Sequence, residues 1–243
     1  MLSRLVLLLT APLLLYQGRR VRRTTPRLPE PPGDRAGCTR QTDKPILRLL
    51  LLGDSAIAGV GSTSQQEAVT GQLTRLLAEQ YDLQWQLIAR SSLTCAQVLE
   101  LLRESQLDMP QVDAVLVSVG VNDVTRRTTL RQWREDLRAM TSYLVEVLGA
   151  QSVLYTALPP MHKFPALPQP LRWFVGQQAQ QLNHALTQHC RQQTQTELLN
   201  FDVPYEPKYI ATDGYHPSAV AAQIWAQKAV RQLMKKHSDK GVQ

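Results

Sequence analysis

The chain has 243 residues, of which 43% are hydrophobic and 19% charged, enough to build a packed core and to exclude global disorder. That length fits one domain with an extension better than two full catalytic domains. The formal net charge is +7, but residues 1–40 hold +6 of it, through eight arginines against Glu30 and Asp34. The rest of the chain is close to neutral, whereas a nucleic-acid-binding body keeps a basic face within its fold, so nucleic acid is not an expected partner.

Residues 1–23 open with an apolar run, Leu5 to Tyr16, broken only by Thr10 and Pro12. It falls short of the roughly 18 apolar residues of a membrane span and suits a signal-peptide core or an interfacial helix. No small-x-small cleavage site follows; Arg19, Arg20, Arg22 and Arg23 come instead. Such a cluster favours an anionic, cytoplasmic leaflet. The expectation is a membrane-surface anchor with the body on the cytoplasmic side; an export signal, with the body outside or in the periplasm, is the alternative. Residues 24–45, with Pro26, Pro29, Pro31, Pro32 and Pro45, read as an extended linker.

The body, residues 46–237, alternates strand and helix, and residues 238–243 form a tail. Ile46–Leu52 and Ala114–Val119 are near-continuous apolar runs, as buried parallel strands require. Leu83–Ala89, Val153–Ala157 and Glu197–Phe201 read as three more strands. Helical stripes occupy Gln66–Gln80, Cys95–Arg103, Leu130–Leu148, about Leu171–Gln192, and Ser218–Lys236 with Ser218 as its cap. Five strands alternating with helices predict a parallel sheet covered on both faces. Ligands then bind beyond the carboxyl ends of the strands.

The loops at that rim carry the reactive groups. Gly53-Asp54-Ser55 and Gly59 follow the first strand, Ser91-Ser92-Leu93-Thr94 the second, Gly120-Val121-Asn122-Asp123 the third, and Asp213-Gly214-Tyr215-His216 precedes the last helix. A hydroxyl, an amide and an Asp–His pair therefore share one edge. The elbow G-x-S-x-G is absent, as are GxxxxGK[ST] and GxGxxG. Cys38, Cys95 and Cys190 form no CxxC and no ligand spacing with histidine, so they read as reduced thiols. No metal or organic cofactor is expected.

In these blocks, in this order, the sequence resembles the SGNH (GDSL-type) hydrolases over about Leu50 to His216. The resemblance implies a three-layer α/β/α flavodoxin-like sandwich with a five-stranded parallel sheet, and ester cleavage without a cofactor. It implies Ser55 as nucleophile, His216 as base and Asp213 as its orienting carboxylate. The oxyanion donors would be the Ser55 and Ser92 amides and the Asn122 side chain, with Gly53, Asp54, Gly59, Gly120 and Asp123 shaping the turns. The family's second block usually contains a glycine where this chain has Ser92. Either the turn here avoids positive φ, or Ser92 is strained, or the blocks align differently.

Blander readings stand beside these. Ser91-Ser92 serves equally well as a helix-start signal. Asp54 and Asp123 suit turn and cap roles better than proton transfer. His162, His184, His189 and His237 read as surface residues. Met161, Phe164 and Leu167, with Trp173 and Phe174, could line an acyl groove but more simply pack their loop. Expected substrates are small-molecule or lipid acyl esters, with thioesters, sugar O-acetyl groups and acyl transfer open. A membrane-tethered binding module with a degenerate site is the rival from another class.

Overall fold

The computed structural model describes the backbone of residues 2–240 and the side chains of residues 10–235. The side chains of Leu5–Leu9 and of His237, and residues 241–243 of the tail, lie outside the described residues. The strands are β1 (Ala36–Cys38), β2 (Ile46–Gly53), β3 (Asp82–Ala89), β4 (Ala114–Ser118), β5 (Ser152–Thr156) and β6 (Thr196–Leu199). The helices are α1 (Leu2–Thr24), α2 (Val69–Leu77), α3 (Cys95–Glu104), α4 (Val121–Thr125), α5 (Leu130–Ser142), α6 (Leu171–Gln192) and α7 (Ala219–Lys240). A π-helical turn, Tyr143–Val147, prolongs α5.

The sheet has six strands in the order β1-β3-β2-β4-β5-β6. β2 through β6 pair in parallel, as the alternating pattern predicts. The sixth strand corrects the expectation of five: β1 joins β3 antiparallel at the edge. It lies inside the segment read as a linker. Its three residues are all exposed, so they carry no hydrophobic signal. Polar contacts hold it instead. Thr39 Oγ1 donates to Asp82 Oδ1 at 3.0 Å and accepts from the Leu83 amide at 2.8 Å.

The apolar runs of β2 and β4 follow from burial on both faces. Leu50 and Leu52 point into a core formed with α3, α5 and α6, where Trp133 is fully buried and donates from its indole to Leu182 O at 3.0 Å. Leu47, Leu49 and Leu51 point into a second core with α2 and α7, around Leu73 and Trp225. Each fully buried leucine is worth about 1.5–3 kcal/mol, so a strand feeding both cores tolerates few polar residues.

Local signals set the helix ends. Thr94 and Gln97 form a reciprocal capping box at α3. Ser218 Oγ accepts from the Ala221 amide at 3.3 Å and begins α7. α2 is shorter than its apolar stripe suggested, because residues 64–68 form turns ahead of it. α1 packs on the body rather than standing free. Leu14 is buried, and Gln17 bonds to Gln169 O at 2.7 Å and to the Leu171 amide at 3.1 Å.

The chain leaves β2 toward β3 on one side and later returns to β4 on the other. The carboxyl ends of β2 and β4 therefore flank a topological switch point, where open α/β sheets bind ligands.

Candidate active site

The site begins with a glycine at the end of β2. A Cβ on Gly53 would stand 2.0 Å from Ser118 O, so nothing larger fits between β2 and β4. Asp54 then donates its amide to Ser118 O at 3.1 Å, and the chain winds into a helical turn closed by Ala58 N to Asp54 O at 3.0 Å. Ser55 lies in that turn, and Gly59 continues it.

His216 reaches Ser55 from a hairpin-like loop ahead of α7. The loop is closed by the Ala211 amide to His216 O at 2.8 Å and the Ser218 amide to Tyr209 O at 3.0 Å. His216 Nε2 lies 2.8 Å from Ser55 Oγ, and His216 Nδ1 lies 2.5 Å from Asp213 Oδ2. The other Asp213 oxygen accepts the Tyr215 and His216 amides at 2.9 and 3.1 Å. Burial by itself would raise the Asp213 pKa, but these hydrogen bonds and the imidazole outweigh it and hold the carboxyl below its ordinary value. Asp213 is therefore ionised and fixed. It orients the imidazole so that Nε2 faces the hydroxyl.

Asn122 stands across the cleft at the start of α4, whose N-cap is Gly120 at φ 116°. Its Nδ2 donates to Asp54 Oδ2 at 3.1 Å, while Asp54 Oδ1 accepts the Ala56 amide at 3.2 Å. Asp54 thus ties the serine turn to the asparagine. Asp123 joins the next pair of loops, accepting the Cys95 amide at 3.0 Å and the Thr128 hydroxyl at 3.1 Å. Both aspartates are almost fully buried, and burial pushes each pKa up to about 6.

Ser92 occupies the left-handed region at φ 69°. Its side chain is exposed and makes no protein hydrogen bond among the described residues, so the conformation is imposed on its backbone. Two charged side chains bond the turn on either side of it. Arg126 donates to Ser92 O at 2.9 Å, and Glu30 Oε1 accepts both the Ser91 amide and the Ser91 hydroxyl at 2.7 Å. Glu30 is braced by Arg35 at 3.0 Å, and Arg35 also donates to Ala89 O at the end of β3. A clamp of charged side chains thus holds a backbone shape that glycine would adopt freely. Neither the Ser55 nor the Ser92 amide donates to a protein acceptor among the described residues.

Glu30, Arg35 and Arg126 are contributors that the sequence reading missed. The first two lie in the segment read as a linker, and no periodic pattern marks them. Ser55, Asn122, Asp213 and His216, together with Ser92, line one cavity of about 1000 Å³. Arg22 and Arg27 also line it, so the N-terminal arm forms part of its wall. Of the proposed groove residues, Phe164 lines the cavity, while Met161 and Leu167 are buried in the core and Trp173 is half exposed. The surface reading of His189 is corrected: it is buried, with Nε2 2.7 Å from Thr141 Oγ1. His189 continues the buried stripe of α6 that runs through Leu182 and Leu186. All three cysteines are free. Among the described residues no cluster of histidine, cysteine and carboxylate could hold a metal ion.

The fold resembles that of several solved structures. The psychrotrophic esterase EstA from Pseudoalteromonas sp. shares 21% identity and a TM-score of 0.61, covering 79% of this chain and 98% of its own. The lipase/acylhydrolase from Enterococcus faecalis shares 20% identity and a TM-score of 0.55, covering 78% of this chain and 96% of its own. A family two carbohydrate esterase from Clostridium thermocellum, solved with cellohexaose, shares 13% identity and a TM-score of 0.63, covering 80% of this chain and 66% of its own. No curated protein sequence matches the chain. The GDSL-like lipase/acylhydrolase family model matches residues 51–224, a stretch that runs from the β2 strand through Ser55, Asn122, Asp213 and His216. With that match over most of its length, the chain belongs to the GDSL-like lipase/acylhydrolase family of ester-hydrolysing enzymes.

Proposed function

We propose that the protein is a serine hydrolase that cleaves carboxylic ester or thioester bonds through an acyl-enzyme on Ser55. The observation that carries this is the unbroken chain from Ser55 Oγ through His216 to Asp213, at 2.8 and 2.5 Å. A serine hydroxyl is a weak nucleophile until a base accepts its proton. His216 Nε2 takes that proton as Oγ attacks the carbonyl carbon, and Asp213 stabilises the imidazolium that forms. The carbonyl oxygen gathers negative charge, which the Ser55 amide, the Ser92 amide and the second N–H of Asn122 are suited to receive. His216 then protonates the departing alcohol or thiol. Water repeats the sequence on the acyl-enzyme, giving the carboxylic acid and free Ser55.

The test is hydrolysis of p-nitrophenyl acetate, butyrate and octanoate by the protein and its Ser55→Ala variant, beside labelling by a fluorophosphonate probe. Turnover and labelling that both depend on Ser55 are expected. Neither turnover nor labelling in the wild type would refute the reading and favour a binding module that keeps the fold. Product esters formed when an alcohol is added would extend the reading to acyl transfer.

We also propose that α1 lies against a membrane surface. Leu13, Leu15 and Tyr16 on α1 and Trp173 on α6 are between 46% and 61% exposed, beside the arginine cluster. Among the described residues no helix is long and apolar enough to cross a membrane. Co-flotation with anionic vesicles, lost when Leu13, Leu15 and Tyr16 are changed to serine, is the expected result. Equal flotation of the variant would refute it.

A further inference from the structure

We infer that the substrate is an ester bearing an anionic group, a carboxylate or a phosphate, close to the scissile bond. This rests on the hydrolase reading above and narrows its substrate class. The cavity that holds Ser55 is lined by three arginines, Arg22, Arg27 and Arg126, from two separate parts of the chain. Among the described residues none of the three is paired with a carboxylate, although Arg35, Arg48, Arg103 and Arg131 all are. The acidic residues in the cavity wall are Asp54 and Asp213, and both are buried and already bonded within the site. Among the described residues no carboxylate of that wall pairs with the arginines.

One of the three is fixed in place. Arg126 donates to Ser92 O at 2.9 Å, which holds its guanidinium beside the amide suited to receive the oxyanion. A guanidinium has five donors, so one bond to a carbonyl leaves the rest for a ligand. Arg22 and Arg27 approach from the arm, at the end of α1 and just beyond it. The rest of the wall mixes polar residues with apolar ones, Val119, Leu158, Phe164 and Phe201 among them. Apolar side chains and unpaired cations in one cavity fit a molecule that carries both an acyl chain and an anion. A low-dielectric cleft whose cations have no carboxylate partner also draws such a molecule in. Carboxylate and phosphate present the same paired oxygens to a guanidinium.

The test pairs esters that share an acyl group and differ in charge. For soluble esters the pair is 3-carboxy-4-nitrophenyl butyrate against 4-nitrophenyl butyrate. For lipid-derived esters it is 1-octanoylglycerol 3-phosphate against 1-octanoylglycerol, both kept below micelle formation. The full-length protein is expected to favour the anionic member of at least one pair by roughly tenfold in kcat/KM at low salt. Discrimination in the first pair alone identifies a small carboxylate ester, and in the second alone a phosphate ester of lipid origin. The ratio should shrink as salt rises and should fall severalfold in Arg22→Gln/Arg27→Gln. Equal turnover of both members in both pairs overturns anion selection and leaves the hydrolase reading standing. A preference unmoved by salt and by the double substitution also overturns it, because the arginines then are not its source. Turnover of none of the four, with Ser55 unlabelled by fluorophosphonate, overturns both readings.

Discussion

Replacing Ser92 by glycine should make the protein more stable. Ser92 sits at φ 69°, where an L-residue's Cβ crowds the following carbonyl and costs about 1–2 kcal/mol. Glycine removes that cost but gives the unfolded chain more freedom, which takes back about 0.5–1 kcal/mol. The serine side chain is exposed and makes no hydrogen bond among the described residues, so nothing else is lost. The net gain is about 0.5–1 kcal/mol, or about 1–4 °C in Tm for a domain of this size. Ser92→Val should move the other way by about 1–2 kcal/mol, since a β-branched side chain tolerates the left-handed region least. Urea denaturation and thermal melts of the three proteins measure both. A glycine variant less stable than the wild type by 1 kcal/mol or more would refute the reasoning, and would mean that the serine side chain, not the clamp around it, sets the turn.

Glu30→Ala should lower kcat for p-nitrophenyl butyrate by about tenfold with little change in KM, because the Ser91-Ser92 turn loses its carboxylate anchor; Glu30→Gln, which keeps an acceptor for Ser91, should recover most of it. Equal losses in both variants would show that the charge toward Arg35 matters and the acceptor does not. Asp123→Asn should stabilise the protein at pH 8 by about 1–3 kcal/mol and have no such effect at pH 4. The sign follows from a folded pKa of about 6 against 3.8 unfolded: the buried carboxyl loses stability as pH rises between those values, and asparagine does not ionise. Urea midpoints across that range measure it, and a gain at pH 4 equal to that at pH 8 would rule out buried charge as the cause. Gly53→Ala should cost at least about 3 kcal/mol or prevent folding, since its Cβ would meet Ser118 O at 2.0 Å; a soluble variant with an unchanged melting temperature would show that β2 and β4 can separate there.

The sequence alone determined the parallel core of the sheet, because β2 and β4 are buried on both faces and must be apolar throughout. It also singled out Ser55, Asn122, Asp213 and His216 as candidates, because each follows a strand end or precedes a helix, where the parallel topology gathers loops on one edge. It did not disclose β1, whose exposed residues leave no hydrophobic trace, nor the inward turn of His189, which depends on what α6 meets. Only the tertiary structure decided how Ser92 takes a glycine's conformation. The carboxylate that steadies it lies 61 residues earlier in the chain than its partner Ser91, and the guanidinium lies 34 residues later than Ser92. Contacts across such separations follow no local period, so they emerge only when the sheet closes the distance. For the same reason Arg22 and Arg27, read in the sequence as parts of a membrane anchor and of a linker, stand in the folded chain as part of the wall around Ser55.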